Sequence, residues 1–135
     1  MSCFRLQIVT PDGVAFDGEA QSVTVRSSVG DVCIMAKHID YVTTIDAGMV
    51  KIKDADGNIR KCACADGFLS VKKDIVRIAA TTFEFSEDID LVRAKAAKEK
   101  AEKRIAAHIS DADAHLAEIK LKRALARIGV KENNR

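Results

Sequence analysis

The sequence predicts an all-β sandwich of about ten strands over residues 1–86, followed by a C-terminal α-helical hairpin over residues 87–135. Three observations predict this division. Through the first part, apolar and polar residues alternate with a period of two, in short runs separated by turn residues. Near Ser86 the pattern stops, and residues 89 to about 109 hold neither Gly nor Pro and are dominated by the strong helix formers Ala, Lys, Glu and Arg. A second helical pattern then follows the brief break Ser110-Asp111-Ala112-Asp113, and so short a connection favours antiparallel neighbours.

The strands can be justified in order. Phe4, Leu6 and Ile8 alternate with Arg5, Gln7 and Val9, a half-buried strand that Pro11-Asp12-Gly13 ends with turn chemistry. Val23 and Val25 alternate with Ser22, Thr24 and Arg26, and Ser27 to Gly30 closes that strand. Val50 and Ile52 alternate with Lys51 and Lys53; the turn at Asp54 to Asn58 and the run Ile59 to Ala65 complete a hairpin. Asp66-Gly67 is expected to turn into Phe68 to Val71, and Lys72-Lys73-Asp74 into Ile75 to Ile78. Many short strands with no intervening helix argue for an antiparallel sandwich or flattened barrel.

Asp88 is the expected N-cap of the first helix, with Glu87 and Asp90 near its positive end. Leu91, Ala94, Ala101, Ile105 and His108 share one face at three- and four-residue steps. In the second helix Ala117, Leu121, Ala124, Leu125 and Ile128 form the stripe, and Gly129 is the expected C-cap. The seam between the helices is mostly alanine, which lets them approach closely but removes little apolar area from water. At roughly 25 cal/mol per Å² such a seam stabilises its fold weakly. A hairpin of this composition is expected to exchange one docking surface for another.

Composition narrows the function. No apolar run approaches the ~20 residues of a membrane-spanning helix. The start, Met1 to Leu6, lacks the layout of a secretory signal or transit peptide, so the chain is expected to fold in a bacterial cytoplasm. Cys3, Cys33, Cys62 and Cys64 offer neither a redox C-x-x-C nor paired zinc spacing, and read as reduced thiols. The three histidines, His38, His108 and His115, fit no metal-protease spacing, and the seven glycines form neither a phosphate loop nor G-x-G-x-x-G. No metal, required cofactor or enzyme chemistry is expected. Charge is uneven: residues 1–86 hold ten Lys/Arg against eleven Asp/Glu, whereas residues 87–135 hold twelve against nine. The basic tail, with Lys120, Lys122, Arg123, Arg127, Lys131 and Arg135, suits an acidic protein surface, an anionic lipid or a nucleic acid. With one Tyr and no Trp as stacking platform, a stand-alone nucleic-acid-binding protein is the weaker alternative, as is a stand-alone nucleotide sensor.

Several stretches, in this order, resemble the epsilon subunit of F-type ATP synthases: Thr10 to Glu19 (TPDGVAFDGE), Val23-Thr24-Val25, Asp66 to Val71 (DGFLSV), Ile89 to Ala94 (IDLVRA) and Lys122 to Arg127 (KRALAR). The resemblance implies a ten-stranded sandwich with a two-helix domain, and a non-catalytic place in the rotary central stalk at the cytoplasmic face of a bacterial membrane. It implies that the gamma subunit and the c-ring are partners of the sandwich, and that membrane association occurs only through the complex. The helical domain is implied to move between a compact state and an extended state that reaches the alpha and beta subunits and inhibits ATP hydrolysis, with Lys122, Arg123 and Arg127 facing an acidic loop of beta. Members usually carry Gly-x-x-Gly-x-x-Pro-Gly-His in the c-ring-facing loop. Here the stretch from Gly30 to His38 keeps Gly30, Asp31 and His38 but has Cys33 for the second glycine and Ala36-Lys37 for Pro-Gly. Asp31 and His38 are the implied c-ring contacts. Some bacterial members bind ATP as a regulatory ligand through an Ile/Leu-Asp-x-x-Arg-Ala motif, matched here by Ile89, Asp90, Arg93 and Ala94. Glu84, Arg123 and Arg127 fall at the other matching positions, and Lys100 stands where an arginine is typical. Lysine is a point charge rather than a bidentate fork.

Overall fold

The computed structural model describes residues 2–132; Arg135 lies outside them. Seven strands precede the helices: β1 (Phe4–Thr10), β2 (Gly13–Ser27), β3 (Gly30–Met35), β4 (Tyr41–Ile45), β5 (Gly48–Asp54), β6 (Ile59–Lys72) and β7 (Ile75–Phe85). A 3₁₀ turn, Ser86–Asp88, leads into α1 (Leu91–Ala107) and α2 (Asp111–Glu132).

The count is seven rather than about ten because two strands run on where the sequence suggests ends. β2, 15 residues long, pairs with β1 through its first half and with β5 and β3 through its second, its register slipping at Gln21. β6, 14 residues long, pairs with β5 through Ile59 to Cys64 and with β4 through Gly67 to Val71. Asp66-Gly67, expected to turn the chain, instead lies within β6 with the register unbroken: Ala65 opposes Thr82 and Gly67 opposes Ala80, and Asp66 between them holds a left-handed φ of 55°. Gly67 is obligatory there, since a Cβ would stand 1.9 Å from the Ala79 carbonyl oxygen. One pairing, β1 with β7, is parallel, and β1 also pairs with β2, so the sheet closes on itself as a flattened barrel.

Alternation delivers Leu6, Ile8, Val23, Val25, Ile52, Leu69 and Ile78 to the interior, each wholly excluded from solvent. β6 is the exception: Cys62, Ala63, Cys64 and Ala65 are all buried, because one face of this stretch meets the barrel core and the other meets the helices. Cys62 and Cys64 belong to the core, and burial pushes both thiols up to about 12.

The helices differ from expectation at their ends. Asp90, not Asp88, caps α1, its Oδ1 accepting from the Arg93 N–H at 3.1 Å. α1 closes at His108, which holds a left-handed φ of 43°, and the Ser110 Oγ accepts from the Asp113 N–H at 3.1 Å to start α2. Gly129 does not end α2. The helix continues to Glu132 because Val130 is fully buried against Ile89 and Ala63, and the Lys131 Nζ donates to the Ser86 carbonyl at 3.0 Å. These tertiary contacts offset glycine's helix penalty of about 1 kcal/mol.

The seam is alanine, as the sequence predicts: Ala94 and Ala101 from α1 meet Ala114, Ala117 and Ala124 from α2. Leu91, Ile105, Leu121 and Ile128 are half-buried, whereas Leu125 and His108 are exposed. The hairpin docks through α2 on β5 and β6 over a small cluster of Ala63, Ile89, Val130 and Met49. At the entrance to the helices, the Arg60 guanidinium lies 3.8 Å from the Phe85 ring centroid and donates to Glu87 at 2.8 Å. The Glu87 carboxyl, bonded by its own backbone N–H and then by Arg60, is held below the usual range.

Candidate functional site

Two clefts meet between the helices and the edge of the sandwich. The larger, about 440 Å³, is walled by Glu84 of β7, Asp88 and Asp90 of the entry turn, Arg93, Ala94 and Ala97 of α1, and Arg127 of α2. The smaller, about 230 Å³, is floored by Ala97, Ala101 and Ala117 and ringed by Lys100, Arg104, Lys120, Arg123 and Arg127. Ala97 and Arg127 belong to both, so the clefts form one groove with a mixed-charge end and a basic end.

Helical spacing explains the grouping. Ala97, Lys100, Ala101 and Arg104 lie three and four apart on α1, and Ala117, Lys120, Arg123 and Arg127 do the same on α2. Alanine floors the groove because a larger side chain in those positions would fill it; the composition that weakens the seam also leaves it hollow.

Most residues implied by the resemblance converge here. Glu84, Asp90, Arg93, Ala94 and Arg127 line the larger cleft, and Lys100, Arg123 and Arg127 the smaller. Ile89 does not: its side chain is 4% exposed and packs on Ala63 and Val130. Arg123 and Arg127 are engaged with the sandwich. The Arg123 Nε and Nη2 donate to Asp66 Oδ2, both at 2.9 Å, and the Arg127 Nε donates to Glu84. Asp66 reaches Arg123 from the middle of β6.

The sequence reading passed over Asp88, Arg104 and Lys120 as lining residues, and Asp66 as a partner. The i, i+4 step from Lys100 to Arg104 and the i, i+3 step from Lys120 to Arg123 were the available signals for two of them.

Lys122, Arg123 and Arg127 do not share a face. Lys122 is exposed beside Gly48 and Met49 of β5, about 100° around the helix from Arg123. Asp31 and His38 also stand apart, near opposite ends of β3. Asp31 pairs loosely with Arg26 at 4.0 Å. His38 is half-buried, its Nδ1 2.7 Å from the Ile39 carbonyl oxygen and its ring 5.6 Å from that of Tyr41. Lys37, in place of the family's glycine, takes the left-handed φ of 64° that glycine would adopt without strain, and its N–H donates to Asp74 Oδ1 at 2.7 Å.

Among the described residues no three of His, Cys, Asp or Glu converge as metal ligands, and no helix is long and apolar enough to cross a membrane.

Residues 3–86 match the family model described as ATP synthase, Delta/Epsilon chain, beta-sandwich domain, and residues 87–132 match the long alpha-helix domain of the same family. Curated relatives include the ATP synthase epsilon chain of Exiguobacterium sp. (38% identical over 133 residues, 98% of each chain) and that of Bacillus velezensis (40% over 133 residues, 98% of this chain and 100% of the other). The epsilon chain of Alkaliphilus oremlandii is 46% identical over 106 residues, 78% of each chain. Among solved structures, a chain of the Euglena gracilis mitochondrial ATP synthase (OSCP/F1/c-ring, rotational state 1) superposes with a TM-score of 0.82 at 20% identity, over 93% of this chain and 79% of that one. A chain of the Tetrahymena thermophila mitochondrial ATP synthase central stalk and c-ring gives 0.60 at 14% identity, over 94% and 95%. These two likenesses concern the fold. The family models account for both halves of the sequence and bacterial epsilon chains align along its whole length: this chain belongs to the epsilon-chain family of the F-type ATP synthases.

Proposed function

We propose that this chain is a non-catalytic central-stalk subunit of a proton-translocating F-type ATP synthase, peripheral at the cytoplasmic face of a bacterial membrane, whose helical hairpin restrains ATP hydrolysis when it leaves the sandwich. The sandwich would bind the gamma subunit and the c-ring, with Asp31 and His38 on the c-ring side. The released hairpin would reach the alpha and beta subunits, offering Lys122, Arg123 and Arg127 to an acidic surface. ATP would act as an effector held in the groove, favouring the compact state by its higher affinity for it.

The single observation that carries this reading is the thinness of the hairpin's attachment. A cluster centred on Val130, Ile89 and Ala63 and the carboxylate pairs of Arg123 and Arg127 hold α2 to the sandwich, while the rest of the seam is alanine. Arg123 and Arg127 cannot serve Asp66 and Glu84 and an outside acidic partner at once, so release of the hairpin and capture by another subunit exclude the compact state. The test is reconstitution of the catalytic complex with the full chain and with residues 1–86. Truncation is expected to stimulate hydrolysis several-fold while gamma still co-purifies; equal rates would remove the inhibitory role.

A further inference from the structure

The structure assigns Asp74, with Asp40 in return, as a positioning residue that clamps the loop between β3 and β4 and fixes where His38 stands. That this loop then meets the c-ring rests on the proposed function; the clamp rests on the geometry alone. The loop from Ala36 to Asp40 and the β6–β7 turn are far apart in sequence yet exchange carboxylate bonds in both directions. Asp74 Oδ1 accepts from the Lys37 N–H at 2.7 Å across 37 residues, and Asp40 Oδ1 accepts from the Lys73 N–H at 3.2 Å across 33.

The backbone at this junction is left-handed at three residues that are not glycine: Lys37 at φ 64°, Lys73 at 50° and Asp74 at 63°. Lys73-Asp74 is a two-residue hairpin turn, which favours positive φ at both positions. Lys37 has no such turn to hold it, and lysine disfavours this region. The segment from Asp31 to Ala47 contains neither Pro nor Gly to set its shape locally. A carboxylate on the Lys37 N–H therefore supplies from outside what the loop lacks inside. Asp74 is itself anchored, because its carbonyl accepts from the Arg5 N–H of β1 at 3.3 Å. His38 lies between the two clamped points. Its Nδ1 stands 2.7 Å from the Ile39 carbonyl oxygen, which can only accept, so Nδ1 carries the hydrogen. Nε2 makes no hydrogen bond among the described residues and is the atom left for a partner. The clamp thus sets the position of a group that the loop's own residues would leave free to wander.

The test compares the full chain as wild type, Asp74→Gly, Lys37→Gly and the two combined, with His38→Ala as a reference. Glycine at position 74 keeps the left-handed turn and deletes the carboxylate. Amide exchange at Lys37 and the imidazole NMR signals of His38 report the loop. Affinity for isolated gamma, and affinity of the gamma complex for detergent-solubilised c-ring, report the partners. Asp74→Gly is expected to speed Lys37 exchange about tenfold, to shift the His38 signals and to weaken c-ring binding about three- to tenfold, with gamma binding within about twofold of wild type. Lys37→Gly stays left-handed without a carboxylate, so adding it to Asp74→Gly is expected to recover most of the c-ring loss; damage to the whole sandwich would not respond to it. Asp40→Ala is expected to speed Lys73 exchange by a smaller factor, and unchanged exchange there removes Asp40 from the assignment. Unchanged Lys37 exchange and His38 signals in Asp74→Gly overturn the clamp. A gamma loss as large as the c-ring loss, no recovery in the double variant, or full c-ring affinity in Asp74→Gly where His38→Ala has lost it overturns the positioning role. Full c-ring affinity in His38→Ala sinks the c-ring contact at His38 but not the clamp, which exchange and the imidazole signals decide.

Discussion

The sandwich and the hairpin solve the same packing problem with different residues. Inside the barrel, Leu6, Ile8, Ile52, Leu69 and Ile78 are each wholly buried, and each is worth about 1.5–3 kcal/mol when removed from water. Between α1 and α2 the buried residues are Ala94, Ala101, Ala114, Ala117 and Ala124, which carry a single methyl apiece. The barrel also closes through ladders between distant strands, such as β1 with β7, whereas the hairpin's pairing is local. Side-chain size and contact range together bury more apolar area in the barrel than in the hairpin's seam. The same small residues that weaken the arm leave the groove in which its cations gather.

The contrast is sharpest for core truncation. Leu69→Ala is expected to cost about 2–5 kcal/mol of global stability, read as a lower urea midpoint with an unchanged slope. A loss under about 1 kcal/mol would mean that the barrel is as loosely packed as the arm.

Alkaline pH probes the core a second way. Burial pushes the Cys62 and Cys64 thiols up to about 12, so the fold favours their neutral forms, while an unfolded chain ionises them near pH 8.5. Their contribution is complete below about pH 8.5 and is lost as pH rises toward 12, at up to about 1.4 kcal/mol per pH unit for each thiol. Urea unfolding between about pH 8.5 and 10.5 should therefore fall more steeply for wild type than for a Cys62→Ala/Cys64→Ala variant; parallel slopes would place water around these thiols.

Val130→Ala tests the arm. Removing two methyl groups from the docking cluster is expected to cost about 1–2 kcal/mol, confined to docking. Amide exchange should accelerate in α2 and stay unchanged in β6 and β7. Equal acceleration in both would join arm and body into one cooperative unit.

The smallest effect is expected at a weak place in the body itself. Lys37→Gly relieves a left-handed lysine and should stabilise by up to about 1 kcal/mol, seen as a small rise in Tm. A fall in Tm would show that the Lys37 side chain contributes more than its backbone costs.

The change from strands to helices after Phe85, the hairpin turn after Asp54 and the alanine seam are legible in the sequence because each is a local pattern of period or composition. What escaped the reading depends on contacts between distant residues. Asp66-Gly67 has the composition of a turn, and only the continuing partner strand β7 carries it on as strand. Gly129 has the composition of a helix end, and only the seating of Val130 carries α2 onward. Of the candidate site, the alignment of Arg123 with Arg127 follows from helix spacing on α2, whereas Lys100 of α1 is joined to them only by the resemblance. The pairing of Arg123 with Asp66 spans 57 residues and has no local signature.

The short connection at Ser86 to Asp90 has a further consequence. A hairpin that lets go of the sandwich remains tethered within a few residues of its old seat, at a local concentration on the millimolar scale set by so brief a linker. Any rival acidic surface must win against a neighbour that never diffuses away. On the proposed reading, modest binding energy in the seat would then suffice to keep the arm home by default, and equally modest competition, once delivered by a fixed assembly, would suffice to take it.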